Sequence, residues 1–268
     1  MSNDADISVS DAVISYGRKR IVHGVSLTAR AGELTVLVGP NGCGKSTLLK
    51  GMARVLPLTQ GEIRLGDQDV HRASTRSIAR KLALLPQGPV APEGLTVREL
   101  VAQGRFPHQT LLRQWSKQDA EAVDTAMEQA DVAQFADQPL NDLSGGQRQR
   151  CWIAMILAQD TPVMLLDEPT TFLDLKVQID LLQLLASIAH DKARAVVVVL
   201  HDLNVAAAFA DRMIMMRDGK ICADGPVSEV FTRENLQTVF GLSADVMRAP
   251  VSNRLVCIPA AQIRLAAE

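Results

Sequence analysis

Three short stretches of this chain hold residue types that can act on phosphates. The run Gly39, Pro40, Asn41, Gly42, Cys43, Gly44, Lys45, Ser46 fits the spacing G-x-x-x-x-G-K-[ST]. Glycines at that density let successive backbone N–H groups point inward at anionic oxygens without side-chain obstruction. A helix starting at Lys45 would add the positive end of its dipole. Lys45 can then reach β- and γ-phosphates as a point charge, Ser46 can offer a hydroxyl to Mg²⁺, and Thr47 can bond on the α-phosphate side. The second stretch is an apolar run, Val163 to Leu166, ending in Asp167 and Glu168. A carboxylate at the carboxyl end of a buried strand lies where ligands of open α/β sheets collect, and it needs a partner such as Mg²⁺. The third is Leu143-Ser144-Gly145-Gly146-Gln147, where Ser144, Gly145 and Gly146 can build a second anion cradle at a helix start.

Regular elements must hold these groups. Apolar runs at 33–38, 81–85, 163–167 and 195–200 read as strands of a buried, largely parallel sheet. Helical patterns begin at Lys45, Lys117, Gly145 and Leu175. Strands alternating with helices predict an α/β core. From about 88 to 160 the pattern is mainly helical. The stretch 232–268 reads as one short helix followed by two weak strands around Val246 and Val256.

Composition narrows the options. The 268 residues carry a formal net charge of -2 with scattered basic positions, which argues against the concentrated basic face that nucleic-acid binding requires. The hydrophobic fraction of 47% suffices for a full core. No run approaches the roughly 18 apolar residues that cross a bilayer. The first six residues are polar and acidic, unlike a secretory signal, so a cytoplasmic location is expected. Cys43, Cys151, Cys222 and Cys257 lack metal-like or disulfide-like spacing, which suits a reduced compartment. Lys45 and the helix start could lower the pKa of Cys43 and open a redox role, although a small neutral filler is the plainer reading.

With LSGGQ lying between the phosphate loop and the Asp167-Glu168 pair, the chain resembles the ATPase subunit of an ATP-binding-cassette (ABC) transporter, from about Ile7 to about Phe231. The resemblance implies a P-loop NTPase (RecA-like) core with an antiparallel β subdomain and an inserted helical subdomain. It places the core and β subdomain at 1–87 and 161–231, the helical subdomain at 88–160, and a C-terminal extension at 232–268, all within one ABC ATPase domain. It also implies ATP and Mg²⁺ as ligands, with Ser46, Gln87 and Asp167 on the metal. Glu168 resembles the general base for in-line attack by water. Gln87 resembles the glutamine that touches Mg²⁺ or water and moves with a membrane partner. His201, following the strand at 195–200, resembles the histidine that senses the γ-phosphate. Tyr16, the single tyrosine, resembles the aromatic that stacks on adenine. Ser144, Gly145, Gly146 and Gln147 would contact the ATP of a second chain in a head-to-tail homodimer. Thr171-Phe172-Leu173-Asp174 resembles the loop crossing that interface, with Asp174 linking the two sites and Thr171 where family members commonly carry Ser.

The segment 95–108, together with Gln147-Arg148-Gln149-Arg150 and the stretch 199–204, resembles ATPases of bacterial ferric-siderophore importers, the ferric-enterobactin type nearest. Heme and cobalamin importers are relatives and stand as alternatives. The resemblance implies integral membrane permease subunits, indirect service to a periplasmic or surface substrate-binding protein, no nucleic-acid partner, and a position on the inner face of the cell membrane. Leu95, Val97, Leu100, Val101 and Phe106 could anchor a permease helix in a groove, or could pack the subdomain core. A soluble assembly-factor ATPase is a further alternative. A DNA-repair ATPase is disfavoured, because the short span from Ser46 to Ser144 leaves no room for a coiled-coil arm.

Overall fold

The structure, a computed structural model, describes residues 5–110, 115–171 and 173–260. The chain opens with β1 (Ile7–Tyr16) and β2 (Lys19–Ala29), a hairpin, and then enters β3 (Leu34–Val38). All five β3 residues are buried, as expected of a continuous apolar strand covered on both faces. Helix α1 (Lys45–Met52) follows, then β4 (Gln60–Leu65), β5 (Gln68–Asp69), α2 (Thr75–Ala79) and β6 (Leu82–Leu85). A helical stretch comes next: α3 (Val97–Gln103), α4 (Lys117–Gln129) and α5 (Gly145–Ala158). The chain returns through β7 (Val163–Asp167), α6 (Leu175–Asp191), β8 (Ala195–Val199), α7 (Leu203–Phe209), β9 (Arg212–Arg217) and β10 (Lys220–Pro226). It finishes with α8 (Val227–Val230), α9 (Arg233–Phe240) and the hairpin β11 (Ala244–Arg248) and β12 (Leu255–Pro259).

Two larger sheets result. One is antiparallel, in the order β2-β1-β4-β5; the other has six strands in the order β10-β9-β3-β8-β7-β6, parallel except for the edge pair β9/β10. The alternation of the central strands separates two cores. Val163, Leu165, Val197 and Val199 face one side, joining Leu48, Met52, Ile7 and Ile14 from α1 and the antiparallel sheet. Met164, Leu166, Val196 and Val198 face the other, joining α5, α6, α7 and the C-terminal elements. Each fully buried Val, Leu or Ile in these layers contributes about 1.5–3 kcal/mol, so the six-stranded sheet is the stiffest available base for a site.

The expected α/β class, with an antiparallel sheet and an inserted helical stretch, is what the chain forms. Helices start at Lys45, Lys117, Gly145 and Leu175, and the strands differ from their expected bounds by a residue at Glu33, Lys81 and Leu200. Of the two readings of the segment near α3, burial selects one at three positions: Val97, Leu100 and Val101 are wholly buried with α4 and α5 and pack the core of the helical stretch. Leu95 is half-buried and Phe106 is exposed. Helical spacing alone could not separate these cases, because a core face and a groove face share one period.

The helical stretch is also stitched by a buried ion pair. Arg105 Nε donates to Asp119 Oδ1 at 2.9 Å, and Arg105 Nη1 donates to the carbonyl of Ala158 at 2.7 Å. Asp119 Oδ2 accepts from the Ser116 N–H at 3.0 Å, closing the capping box of α4, and also from the Ser116 hydroxyl at 2.6 Å. Burial alone would push the Asp119 carboxyl up, but the Ser116 hydroxyl and the Arg105 guanidinium outweigh it and hold its pKa low.

Candidate functional site

β3, β8, β7 and β6 all end at one edge of the sheet, and the loops leaving them carry the chemistry. After β3 the chain makes the glycine loop and enters α1. Gly39 has no room for a side chain: a Cβ there would sit 2.2 Å from the carbonyl oxygen of Met216. Gly44, the residue before α1, has φ +107, which favours glycine, and a Cβ there would crowd the carbonyl oxygen of Ile21 at 3.3 Å. α1 has no side-chain cap, whereas α3, α4, α5, α6, α7 and α9 all begin under one. Its first N–H groups are therefore left for an anion.

Lys45 is buried with its ammonium turned into the loop. Its Nζ donates to the carbonyls of Gly39 at 2.7 Å and Pro40 at 3.2 Å. Ser46 Oγ donates to Asp167 Oδ1 at 2.9 Å, joining the start of α1 to the end of β7. Asp167 Oδ2 is buried and has no hydrogen-bond partner among the described residues. Burial raises the pKa of Asp167, and the Ser46 hydroxyl only partly offsets this.

Glu168 stands one residue beyond β7 with φ +53, a left-handed conformation that non-glycine residues rarely adopt. Its carboxylate gathers groups from three directions. A ring nitrogen of His201, after β8, lies 2.6 Å from Oε1. Gln87 Nε2, after β6, donates to Oε2 at 2.7 Å, and Thr171 Oγ1 donates to the same oxygen at 3.3 Å. A cavity of about 330 Å³ is lined by Ile21, Asn41, Gly42, Gly44, Lys45, Ser46, Thr47, Gln87, Glu168 and His201. Most of the residues singled out in the first, second and histidine motifs thus meet in one place. Tyr16 lies outside that lining, half exposed at the end of β1 and a turn away from Ile21.

Cys43 Sγ lies inside the loop, 4.0 Å from Lys45 Nζ. Its side chain is buried, and the residue borders a separate cavity behind the loop with Arg217, Asp218, Val239, Phe240 and Gly241. Burial raises its thiol pKa, with only partial relief from Lys45, so the expected lowering is corrected here: desolvation outweighs the neighbouring ammonium.

Ser144 caps α5 in a capping box, its Oγ accepting from the Gln147 N–H and the Gln147 side chain accepting from the Ser144 N–H at 2.9 Å. Gly145 has open space around its Cα, while a Cβ at Gly146 would touch Val177 at 3.4 Å. Gly145 borders a second cavity, of about 460 Å³, shared with Gln87, Trp152, Glu168 and Thr171 but with no residue of the glycine loop. The two cavities share Gln87 and Glu168, and Ser144 lines neither. Asp174 caps α6, its Oδ1 accepting from the Val177 N–H at 3.0 Å. Phe172, in the same loop, lies outside the described residues.

Sequence reasoning missed the Thr171 hydroxyl as a third donor to Glu168, and Trp152 and Leu173 as walls of the larger cavity. Thr171 differs from Glu168 by three positions, the reach of a single turn, and that spacing was the available signal.

A nucleotide cradle at the carboxyl edge of a mainly parallel sheet, paired with a buried Asp and a donor-ringed Glu, defines a P-loop nucleoside triphosphatase. Residues 22–171 match the ABC transporter family model, and the chain belongs to that family. It is 47% identical over 246 residues to a petrobactin import ATP-binding protein of Bacillus anthracis, covering 92% of this chain and 90% of the relative. It is 42% identical over 246 residues to the ferric enterobactin transport ATP-binding protein of Escherichia coli (strain K12), covering 92% and 91% respectively. Among solved structures, a dimeric bacterial ABC transporter cassette superposes with a TM-score of 0.73 at 29% identity, covering 82% of this chain and 98% of that one. The chain is thus an ATP-binding ABC ATPase. Among the described residues no helix is long and apolar enough to cross a membrane.

Proposed function

We propose that this chain is the ATP-hydrolysing subunit that powers import of a ferric siderophore through a partner membrane permease, working as a homodimer on the inner face of the cell membrane. The observation that carries the catalytic part is the convergence of His201, Gln87 and Thr171 on the Glu168 carboxylate beside the phosphate cavity. The siderophore cargo is supported by relatives that match this chain over nearly their whole length. Residues 1–87 and 161–231 form the working core in this reading, 88–160 the helical subdomain, and 232–268 the C-terminal extension.

ATP phosphates lie against the N–H groups of the glycine loop and α1, and Lys45 exchanges its loop carbonyls for phosphate oxygens. Tyr16 stacks on the adenine. Ser46 and Asp167 fit Mg²⁺, because both are hard oxygen donors and one Asp167 oxygen is buried without a partner among the described residues. Gln87 lies close enough to Glu168 to complete the set from the water side. When bound, Mg²⁺ neutralises charge on the β- and γ-phosphate oxygens. Glu168 accepts a proton from water as the water oxygen attacks the γ-phosphorus and the bond to the bridging oxygen of ADP breaks. His201 and Gln87 hold the carboxylate in place for that step. Ser144, Gly145 and Gly146 of the second chain close over the same ATP, with Asp174 near the junction. Hydrolysis then removes the group that bridges the two halves.

The test is deletion of the gene in its host, followed by uptake of radiolabelled ferric siderophore, heme and cobalamin, with complementation by wild type or Glu168→Gln. Loss of siderophore uptake alone, restored only by wild type, is expected. Loss confined to heme or cobalamin would reassign the cargo. Survival of all three in a host lacking other such importers would leave the assembly-factor reading in its place.

A further inference from the structure

The C-terminal hairpin is joined to the loop that carries His201. Asn204 lies in the first turn of α7, three residues after His201, and both ends of its side-chain amide bond one residue of β12. Nδ2 donates to the carbonyl of Cys257 at 3.1 Å, and Oδ1 accepts from the Cys257 N–H at 2.7 Å. This is the two-bond pattern of a strand neighbour, made by one side chain, and only an amide oriented this way satisfies both partners. Around it, Cys257 and Ala244 are buried in the same core as Ala206 and Ala207 of α7 and Ala210 just after it. Val246 and Leu255 pack against that core from the hairpin, and Leu203 and Val205 do so from the helix.

On the other side of Asn204, the same turn is fixed to the site. Asp202 Oδ1 accepts from the N–H groups of Asn204 and Val205, both at 2.9 Å, which sets the direction in which the chain leaves β8. His201, the next residue back, reaches Glu168 Oε1. The path from hairpin to carboxylate is therefore four residues of backbone, held by two hydrogen bonds to Cys257 at one end and by the single His201–Glu168 contact at the other, with the Asp202 cap stiffening the turn between them. His201 itself is substantially exposed, so no burial of its own ring holds it there.

We propose that the β11–β12 hairpin is a positioning element for ATP hydrolysis and that Asn204 is the positioning residue through which it holds His201 against Glu168. This rests on the role given to His201 above. A ring pinned from only one direction samples more of its rotamers and spends less time in contact with the base, and loosened positioning lowers turnover without touching ATP binding.

The experiment is steady-state ATP hydrolysis by the purified full-length protein, as wild type, Asn204→Ala, His201→Ala and the double variant. Asn204→Ala should lower kcat by about fivefold or more while KM for ATP stays within about twofold. In the His201→Ala background the Asn204 change should have no further effect, because coupled residues fail to add. A purely structural tether would instead multiply the two losses, and that result, or an unchanged kcat in Asn204→Ala, overturns the inference while leaving His201 in its role. Full turnover by His201→Ala would remove both. Asn204→Asp, which keeps the acceptor for the Cys257 N–H, guards against a folding failure and should show a smaller loss of kcat with the same dependence on His201. Val251→Ser, at the fully exposed hairpin tip, should leave kcat unchanged.

Discussion

Replacing Glu168 by Gln separates binding from hydrolysis, and the surroundings of the carboxylate set the size of the effect. The substitution keeps the shape of the side chain but removes its charge and its ability to accept a proton. A positioned base contributes about 10²–10⁴-fold to rate, or ~2.7–5.5 kcal/mol at 1.36 kcal/mol per decade. The loop N–H groups, Lys45 and α1 make no bond to Glu168, so ATP affinity should stay within about tenfold, shifted toward tighter binding by the loss of a carboxylate facing phosphates. One Glu168 oxygen becomes an NH₂ group that confronts either His201 or the Gln87–Thr171 pair of donors. That mismatch costs about 1 kcal/mol in a partly exposed site, a fall in Tm of roughly 2–4 °C. The assay is phosphate release, nucleotide binding and solution mass on one preparation. Turnover should fall at least about a hundredfold with ATP still bound. The mass with ATP should double, since hydrolysis is what separates the halves in the proposed cycle. Turnover within tenfold of wild type, or a monomer in saturating ATP, would refute the assignment of the base.

Asp167→Asn should abolish Mg²⁺-dependent hydrolysis without lowering the Tm of the nucleotide-free chain at pH 8. Its folded pKa is raised, so the native state holds its proton more tightly than the unfolded chain, and its ionisation weakens the fold as pH rises above about 4. The Tm advantage of the Asn variant should accordingly shrink as pH is lowered toward 4. Arg105→Ala leaves the Asp119 carboxylate buried with Ser116 as its remaining side-chain partner, and should destabilise by ~3–5 kcal/mol in urea titration. An effect under about 1 kcal/mol would show that the pair is dispensable. Cys43 should react with maleimide far more slowly than exposed Cys222 at pH 8, read by mass spectrometry of the two peptides; equal rates would return the redox reading.

Much of this was legible before any coordinates. The glycine loop announces itself because backbone conformation and close approach favour one residue type at positions such as Gly39 and Gly44. Buried parallel strands such as the one at 195–199 show as unbroken β-branched runs, since both faces are covered. The C-terminal helix and two strands also followed from pattern. What stayed hidden depends on pairings between distant residues. The Arg105–Asp119 pair, the turn of Lys45 toward its own loop and the Asn204–Cys257 clamp leave no periodic trace. Val97, Leu100 and Val101 show the complementary limit, where the pattern is clear but does not say what covers it.

The backbone at Glu168 carries a consequence for how this protein can be improved. Asp or Asn fill five of the eight non-glycine positions at positive φ among the described residues, and these types tolerate the left-handed region. Glu168 does not share that tolerance, and holding it there costs about 1–2 kcal/mol relative to glycine. Glycine there would release that cost but forfeit the contacts to His201, Gln87 and Thr171, so the two effects oppose each other. Ala193, exposed at φ +48 and away from the site, is where the same backbone relief is open without touching turnover, so thermostabilisation of this chain starts there and is screened on phosphate release.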